Sequence, residues 1–384
     1  MSSHASAGST GRRPSAARAT LENLLSQVGV TVNGDAPWDI RVHDQRFYEY
    51  VLTGGTLALG ESYMDGWWDC ERLDELVFRA LRRDLDHRIV NWRGRLFLLE
   101  MKLRNLQTLR HARQVAEQHY DLGNHFFERM LGRTMNYSCG WFRDDAGLDA
   151  AQEAKMDLVA RKLQLQRGDR VLDIGCGWGS MARFAAERYG CEVVGVTISR
   201  EQLAYAQKLA KDVDFRLLDY RDPELRRLGT FDKIVSIGMF EHVGRRNYGA
   251  FFSMVQDLLA DDGLFLLHTI FNDHLPAEPW INKYIFPNGM LPSQMDLARS
   301  TRGRFVVEDF HNFGAHYDRT LMAWYENYSR YEAEPEFPYP LRFKRMWRYY
   351  LLTYAGSFRS RRRNHLGQIV MSRRGMLGGY TSVR

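Results

Sequence analysis

The residues best suited to chemistry begin with a carboxylate and a run of glycines. Asp173 precedes Gly175, Gly177 and Gly179 in the segment RVLDIGCGWG. Glycine suits a backbone that turns sharply or lies close to a ligand, and a strand, a glycine-rich turn and a helix make the first crossover of a doubly wound nucleotide-binding domain. A carboxylate just before the turn suits a ligand with an ammonium group. S-adenosylmethionine (SAM) is such a ligand and a dinucleotide pyrophosphate is not, so the motif favours SAM.

Two more strand ends offer polar side chains to the same ligand. In an open α/β sheet, ligands bind where the parallel strands end. The second predicted strand lacks the acidic residue that usually binds a ribose, but Gln202 follows it and its amide could do so. Asp219 follows the third strand and could accept a hydrogen bond from an adenine amino group. A surface turn would also explain Asp219, although its place after this strand favours binding.

A second set of candidates could move a proton. Glu241 follows the fourth predicted strand, in the segment GMFEHVG, and His268 lies on the fifth. A lone histidine on an apolar strand is more often a core residue whose hydrogen bonds are satisfied. Here both side chains are expected at the same edge of the sheet, where a carboxylate beside an imidazole suits general acid–base chemistry.

These residues need a parallel sheet to bring them together, and the sequence predicts one. Strands are predicted over 170–174, 192–197, 214–218, 231–237, 263–270 and 304–309, and helices over 149–164, 180–188, 200–210, 247–260 and 341–360. This alternation indicates an α/β fold with a mostly parallel sheet and helices on both faces, the Rossmann-like fold of SAM-dependent methyltransferases.

The length of 384 residues leaves room for a second, smaller domain. Residues 1–19 lack the apolar core of an export signal and predict a disordered tail. Residues 20–110 favour a mainly helical domain, with one helix over 47–52 ended by Gly54 and Gly55 and another over 73–81. Residues 111–384 then form the catalytic domain.

The net charge of +6 is unevenly distributed. Basic residues cluster in two stretches: Arg79, Arg82, Arg83, Arg88, Arg93, Arg95, Lys102, Arg104, Arg110 and Arg113, and then Arg359, Arg361, Arg362 and Arg363. Such a bias suggests an anionic partner, either nucleic acid or the head groups of a membrane. A solvated helix face is an equally good explanation, since acidic residues also occur there.

The four cysteines form no CxxC pair or metal-type cluster, so we expect a reduced, cytoplasmic setting and no metal site. The sequence has no apolar run of about 18 residues, so no transmembrane helix is expected.

Several segments together resemble the cyclopropane-fatty-acyl-phospholipid synthase family. They are 60–68 (GESYMDGWW), 118–124 (QHYDLGN), 137–139 (YSC), 171–179 (VLDIGCGWG), 195–199 (GVTIS), 238–244 (GMFEHVG), 280–289 (WINKYIFPNG) and 321–325 (LMAWY). The resemblance runs from about residue 20 to the C-terminus. It implies transfer of the SAM methyl carbon to the cis double bond of an unsaturated acyl chain in a membrane phospholipid, which closes a cyclopropane ring.

The resemblance also implies roles for individual residues. A carbocation loses a proton as the ring closes, and the resemblance implies that a bound bicarbonate ion takes it. The cage of that ion falls on Cys139, Glu241, His268, Tyr317 and the backbone of Ile270. The contacts to SAM fall on Tyr137, Ser138, Asp173, Gly175, Gly177, Gly179, Thr197, Ser199, Gln202, Asp219 and Tyr220.

Two further implications concern the ends of the chain. Relatives often carry a cysteine where this chain has Tyr354, so a nucleophilic thiol is not needed there if the proton cage is intact. The N-terminal domain of the family is associated with dimerisation and lipid docking. The resemblance therefore implies a homodimer that binds an anionic phospholipid bilayer on the inner face of the cell membrane.

Two other functions fit the sequence less well. A nucleic-acid methyltransferase would suit the sequence pI of about 9.1, but the fourth strand is followed by GMFEH rather than a Pro-Pro-Tyr type of loop, and no RNA-binding appendage is visible. We therefore expect no nucleic acid partner. A non-catalytic membrane-docking protein is disfavoured by the intact glycines together with Asp173, Glu241 and His268.

Overall fold

The computed structural model describes residues 15–85, 122–144, 146–274 and 277–384. Within these ranges the longer helices are α1 (Ala16–Ser26), α2 (Arg46–Met64), α3 (Leu73–Arg82), α4 (Gly123–Leu131), α5 (Leu148–Lys162), α6 (Ser180–Phe184), α7 (Arg200–Leu209), α8 (Pro223–Arg226), α9 (Tyr248–Leu258), α10 (Pro279–Tyr284), α11 (Gln294–Thr301), α12 (Ala315–Glu332) and α13 (Leu341–Ser360). The strands are β1 (Arg41–Val42), β2 (Trp68–Asp69), β3 (Arg170–Ile174), β4 (Glu192–Thr197), β5 (Asp214–Leu217), β6 (Phe231–Ile237), β7 (Leu259–Phe271), β8 (Val306–Asn312) and β9 (His365–Ser372).

Seven strands form one mostly parallel sheet in the order β5-β4-β3-β6-β7-β9-β8. The first five are parallel neighbours, whereas β9 runs antiparallel to both β7 and β8. Successive residues of a strand point to opposite faces. Accordingly Val171 and Leu172 belong to two different buried clusters, one on each face of the sheet. The predicted α/β methyltransferase fold is confirmed.

The sequence missed the strand that completes the sheet. Only the helix over 341–360 was expected near the C-terminus, yet β9 follows it and inserts between β7 and β8. The predicted strand over 304–309 also begins and ends later, at Val306 and Asn312. Strand β9 matters for the site because it pairs Gln368 with His268.

The N-terminal helices pack on the catalytic half through α13. Gly356 of α13 lies so close to α3 that an added Cβ would come within 2.1 Å of the carbonyl oxygen of Asp74. One turn later, Arg359 donates to Asp74 at 2.7 Å and to Asp318 of α12 at 2.8 Å. These contacts join α3, α12 and α13 into one buried region.

Two N-terminal predictions were wrong in their bounds. Helix α1 begins at Ala16, inside the predicted tail, and is capped by the side chain of Ser15. Helix α2 does not end at Gly54 and Gly55: the chain kinks at Gly55, where φ is 64° and ψ is −144°, and the helix then resumes to Met64. The predicted domain boundary at residue 110 and the basic run 88–113 lie outside the described residues.

Candidate active site

A cavity of about 650 Å³ lies at the carboxyl ends of β3, β6 and β7. Its wall on the catalytic side includes Asp173, Gly175, Glu241 and Ile270. The opposite wall comes from the helical part of the chain and includes apolar side chains such as Leu25, Phe47, Leu76 and Ala80. The cavity therefore joins a polar end to an apolar arm.

The glycine turn after β3 is as tight as its sequence predicts. Gly175, Gly177 and Gly179 all have positive φ, at 81°, 55° and 82°. A Cβ on Gly175 would lie 2.6 Å from the side chain of Met239, and one on Gly179 would lie 2.6 Å from the ring of Phe215. Side chains at these positions would be strained and would clash, so the turn needs glycine.

The side-chain carboxyl of Asp173 is buried, and one of its oxygens accepts no hydrogen bond from the described residues. Its side chain is buried at the end of β3, and Oδ2 has no hydrogen-bond partner in the described structure. Burial raises the pKa of Asp173 to about 7, and the nearby ammonium of Lys155 opposes that rise. A buried carboxyl oxygen without a donor fits the ammonium group of SAM.

The other predicted SAM contacts fall into two groups. Tyr137, Ser138, Gly177 and Gln202 line the cavity. Thr197, Ser199, Gly179, Asp219 and Tyr220 are not among the described residues that line it.

Three of these residues form a local scaffold around the start of α7. Ser199 caps α7 by accepting from the backbone N–H of Gln202 at 3.3 Å. The hydroxyl of Thr197 donates to Oε1 of Gln202 at 3.0 Å, which fixes the amide beside the cavity. Thr197 and Ser199 therefore act on the cavity through Gln202.

Asp219 is engaged by its own neighbour. Its carboxylate accepts from Nε of Arg221 at 2.7 Å and from the backbone N–H of the same residue at 2.9 Å. Tyr220 is buried against Phe251, with ring centroids 5.4 Å apart, and its hydroxyl has no partner among the described residues. Both residues pack beside the third strand end, as the sequence predicts.

Glu241 reaches across to the neighbouring strand β7. Its Oε1 accepts from the backbone N–H of Ile270 at 2.7 Å, while Oε2 is buried and has no partner in the described structure. Burial raises the pKa of Glu241 to about 7. The backbone N–H of Ile270 is therefore occupied by Oε1 of Glu241. In the described structure, Oε2 is left to accept a hydrogen bond from a ligand in this corner of the cavity.

His268 lies on the same face of β7 as Ile270, because alternate residues of a strand share a face. Nε2 of Gln368, on β9, lies 3.3 Å from Nδ1 of His268. With the amide in this orientation Nδ1 accepts, and the ring proton is on Nε2, which is buried without a partner in the described chain. Burial lowers the pKa of His268 well below its usual value, so the ring is neutral.

Cys139 packs against α12, the helix that carries Tyr317. The hydroxyl of Thr320, one turn beyond Tyr317 on α12, lies 3.8 Å from Sγ of Cys139. Tyr317 lines the cavity, whereas Cys139 lies behind it and donates to the carbonyl of Gly140 at 3.3 Å. Burial raises the pKa of the Cys139 thiol, so it stays protonated. Glu241, Ile270 and Tyr317 thus line the cavity, whereas Cys139 and His268 lie behind its wall, and the role of these five residues as a cage stays a prediction.

Sequence reasoning missed several side chains that build the site. Gln152 and Lys155 of α5 are buried and hydrogen-bond the segment that holds Tyr137 and Ser138. Gln368 fixes the ring of His268, and the hydroxyl of Tyr350 meets that of Tyr137 at 3.2 Å. None is marked by a local motif, because each acts on a residue distant in sequence.

The described residues hold no group of three or more His, Cys, Asp and Glu side chains arranged as metal ligands. All four cysteines are buried and free.

Comparison with known proteins decides the family. The profile of the mycolic acid cyclopropane synthetase family matches residues 107–369. The chain belongs to this family. It is 49% identical over 355 residues to the cyclopropane-fatty-acyl-phospholipid synthase of Escherichia coli (strain K12). The aligned region covers 91% of this chain and 92% of that protein.

Solved structures of the family superpose on the catalytic half. The cyclopropane synthase MmaA2 from Mycobacterium tuberculosis matches with a TM-score of 0.62 at 33% identity, over 70% of this chain and 99% of that one. The mycolic acid cyclopropane synthase CmaA1, complexed with SAH and CTAB, matches with a TM-score of 0.62 at 33% identity, over 68% and 98%. As a family member the chain is a SAM-dependent C-methyltransferase.

Proposed function

We propose that this enzyme transfers the methyl carbon of SAM to the cis double bond of an unsaturated acyl chain in a membrane phospholipid and closes a cyclopropane ring. The observation that carries the proposal is the cavity itself. It joins a buried carboxyl and a glycine turn suited to SAM, a corner where Oε2 of Glu241 has no partner in the described structure, and an apolar arm suited to an acyl chain. The 49% identity to the E. coli enzyme supports the same substrate class.

The SAM end is assigned to the residues around the glycine turn. Oδ2 of Asp173 would receive the amino group of SAM, and the amide of Gln202 would receive a ribose hydroxyl. The proposed SAM site also includes the predicted contacts Tyr137, Ser138 and Tyr220. Asp219 is proposed to accept a hydrogen bond from the adenine of SAM. When bound, SAM supplies the electrophilic methyl group.

The acyl end is lined by aromatic rings. Tyr137 and Phe286 lie with centroids 5.9 Å apart, and Phe286 contacts Tyr350 at 5.8 Å. These rings exclude water from an apolar chain. A ring face also stabilises positive charge by about 0.5–2 kcal/mol, which suits a carbon that becomes electron-deficient during the reaction.

The corner of Glu241 and His268 is proposed to remove the proton lost as the ring closes. Oε2 of Glu241 is a buried acceptor and Nε2–H of His268 a buried donor, neither with a partner in the described chain. A small ion that both donates and accepts hydrogen bonds would satisfy the two, and bicarbonate is such an ion. Bound there it would supply a proton acceptor, with Cys139, Ile270 and Tyr317 closing the corner around it.

Membrane association is proposed as peripheral. No helix in the described ranges is both long and apolar enough to span a bilayer. Several of the described arginines are engaged within the fold: Arg79 pairs with Glu75 at 2.8 Å, Arg83 donates to the carbonyl of Gln27 at 2.6 Å, and Arg363 pairs with Asp84 at 2.9 Å. The docking charge is therefore assigned to the basic run 88–113, which lies outside the described residues.

The membrane proposal is tested with the intact protein, because charge reversal at Arg82 or Arg83 would also break contacts inside the fold. Binding to anionic liposomes should weaken with added salt, since each basic residue near the surface contributes about 1 kcal/mol and salt screens that attraction. Equal binding to neutral liposomes at high salt would contradict it. The homodimer stays a prediction, for which light scattering of the purified protein is the measurement.

The activity is tested by incubating the protein with SAM and liposomes of cis-unsaturated or fully saturated phospholipid. Mass spectrometry should detect a gain of one CH₂ in the unsaturated lipid only. An equal gain in saturated lipid, or in RNA offered in place of lipid, would overturn the proposal.

Bicarbonate is tested separately. Buffer depleted of bicarbonate should slow the wild-type enzyme, and adding the ion back should restore the rate. His268→Ala should raise the concentration needed for restoration. A rate that does not respond to depletion would make Glu241 itself the base and remove the ion from the mechanism.

A further inference from the structure

One buried cation near the cavity has no ionic partner among the described residues. Lys155 of α5 is fully buried, and its Nζ donates to Oδ1 of Asn136 at 2.8 Å and to Oγ of Ser138 at 3.0 Å. Both acceptors are neutral, and none of the ion pairs formed by the described residues includes Lys155. Burying an ammonium without a counter-charge costs several kcal/mol, so a lysine here calls for a reason beyond packing.

A second buried lysine on the same helix shows the usual arrangement. Lys162 is also fully buried, but its Nζ lies 3.6 Å from Oδ2 of Asp309. Both lysines are therefore fully buried on α5, but of the two only Lys162 has a carboxylate in direct contact among the described residues.

Ser138, whose hydroxyl accepts from Lys155, lines the same cavity as Asp173, the buried carboxyl on which Lys155 acts. Lys155 lowers the pKa of Asp173 against the rise caused by burial, and Asp173 in turn raises the pKa of Lys155, which burial lowers to about 8. Burial and the nearby Asp173 both raise the pKa of the Cys176 thiol, and the backbone N–H of Ala182 donates to the carboxyl of Asp173. Lys155 also acts on Cys139 and on His268.

Lys155 and Gln152 also hold the segment that carries two predicted SAM contacts. Nε2 of Gln152 donates to the carbonyl of Ser138 at 2.8 Å, beside the bond from Lys155 to the hydroxyl of the same residue. Asn136 is held in addition by its own bond to the carbonyl of Thr134 at 3.2 Å. The chain that precedes Tyr137 is therefore fixed from α5.

We propose that Lys155 is a positioning residue for SAM: its ammonium keeps Asp173 in the ionised form that receives the amino group of SAM, and its N–H groups hold the 136–138 segment against the cavity. The inference rests on the proposed binding of SAM at Asp173. It concerns cofactor affinity and its dependence on pH, not the transfer step.

The test measures binding of SAH by calorimetry from about pH 6 to about pH 9 in wild type, Lys155→Gln and the matched control Lys162→Met. Glutamine keeps an N–H donor for Ser138 but removes the charge. Affinity should fall about fivefold at pH 7 and about tenfold at pH 6 in Lys155→Gln, and the pH at which affinity rises should move up by about one unit, because one unit of pKa is a factor of ten well below the pKa. The curves should converge near pH 9, where Asp173 is ionised in both proteins.

Two results with Lys155→Gln would overturn the inference. One is an affinity for SAH that Lys155→Gln leaves unchanged; the other is an affinity lowered by the same factor at every pH, which would mean a structural role only. Lys162→Met should lower stability without moving the pH dependence of binding. A control that moved it equally would also overturn the inference, because the effect would then not be specific to Lys155.

Asp173→Asn keeps the inference testable if Lys155→Gln fails to fold. The rise of affinity between about pH 6 and about pH 8 should disappear in Asp173→Asn, and its persistence would exclude Asp173 as the titrating group. Cyclopropane formation is measured separately, so that a failure of the proposed function can be distinguished from a failure of this inference. A wild type that binds SAH with the expected pH dependence but forms no cyclopropane would overturn the function and leave the role of Lys155 standing.

Discussion

Two polar clusters of the catalytic half are built in opposite ways. The edge cluster consists of Lys162, Asp309 and Arg384, next to the outer strand β8. Asp309 accepts from both terminal nitrogens of Arg384 at 2.7 Å and from the hydroxyl of Ser382 at 2.9 Å. The pKa of Asp309 is lowered because these donors outweigh its burial.

The cavity cluster consists of Asp173, Glu241 and His268, and each of its members keeps a buried polar atom without a partner in the described structure. Burial raises the pKa of both carboxyls to about 7. An unsatisfied buried group costs about 1–3 kcal/mol. The comparison indicates that the edge cluster serves stability, whereas the cavity cluster gives up stability to keep groups free for ligands.

The sharpest test of this division is turnover in Glu241→Gln. The amide can still accept from the N–H of Ile270, so the fold and the SAM site should persist. Loss of a positioned proton-handling group should lower turnover about 10²–10⁴-fold. Turnover is measured as cyclopropane formed per enzyme, and SAH affinity by calorimetry serves as the control. Turnover within threefold of wild type would remove Glu241 from the proton pathway.

The matching change in the edge cluster is Asp309→Asn. It leaves Lys162 fully buried without its carboxylate, and breaking one side of a buried pair costs about 3–5 kcal/mol. Urea unfolding should therefore show a large loss of stability at pH 7. The SAH affinity of the folded fraction should not change. A variant as stable as wild type would mean that the edge cluster contributes little.

Stability and pH separate the two clusters further. An acid whose folded pKa is raised binds protons more tightly in the folded state, so its ionisation destabilises the fold as pH rises from the unfolded value toward the folded one. Glu241→Gln should therefore be more stable than wild type at pH 8 by up to about 3 kcal/mol, and the gain should shrink toward pH 4.5. Asp309 has the opposite sign: its contribution is present above pH 4 and is lost as pH falls below it. Urea midpoints of both variants across pH measure the two trends, and parallel curves would contradict the comparison.

How far the sequence predicts this arrangement depends on where the decisive contacts lie along the chain. Asp173 lies near the end of β3 and Glu241 comes four residues after the end of β6, so local motifs were enough to predict both. Strand β9 was not predicted, because a short apolar run after an arginine-rich segment carries no periodicity and its partners lie about a hundred residues away. Without β9 the contact of Gln368 with His268 could not be foreseen.

Lys155 was missed for a different reason. A lysine in an amphipathic helix is normally assigned to the solvent face, because a fully buried ammonium is rare. Its burial follows from packing of α5 against the 136–138 segment, and that packing has no local signature. Sequence therefore predicts the groups that meet the ligand better than the groups that support them.

The smallest expected effect belongs to Tyr354. This residue lines the cavity and lies 5.8 Å from the ring of Tyr350, and burial raises the pKa of its hydroxyl well above the usual value. A neutral phenol at this place can fill space and contact the acyl chain but cannot act as a nucleophile. Tyr354→Phe should therefore keep turnover within about fivefold, since the ring and its packing are retained and a typical hydrogen bond contributes about 1 kcal/mol. Tyr317→Phe, at the proton-handling corner, is the matched variant and should lose more. Equal losses in the two variants would mean that the apolar arm takes part in the chemistry, and the separation between ligand-binding and supporting groups would have to be redrawn.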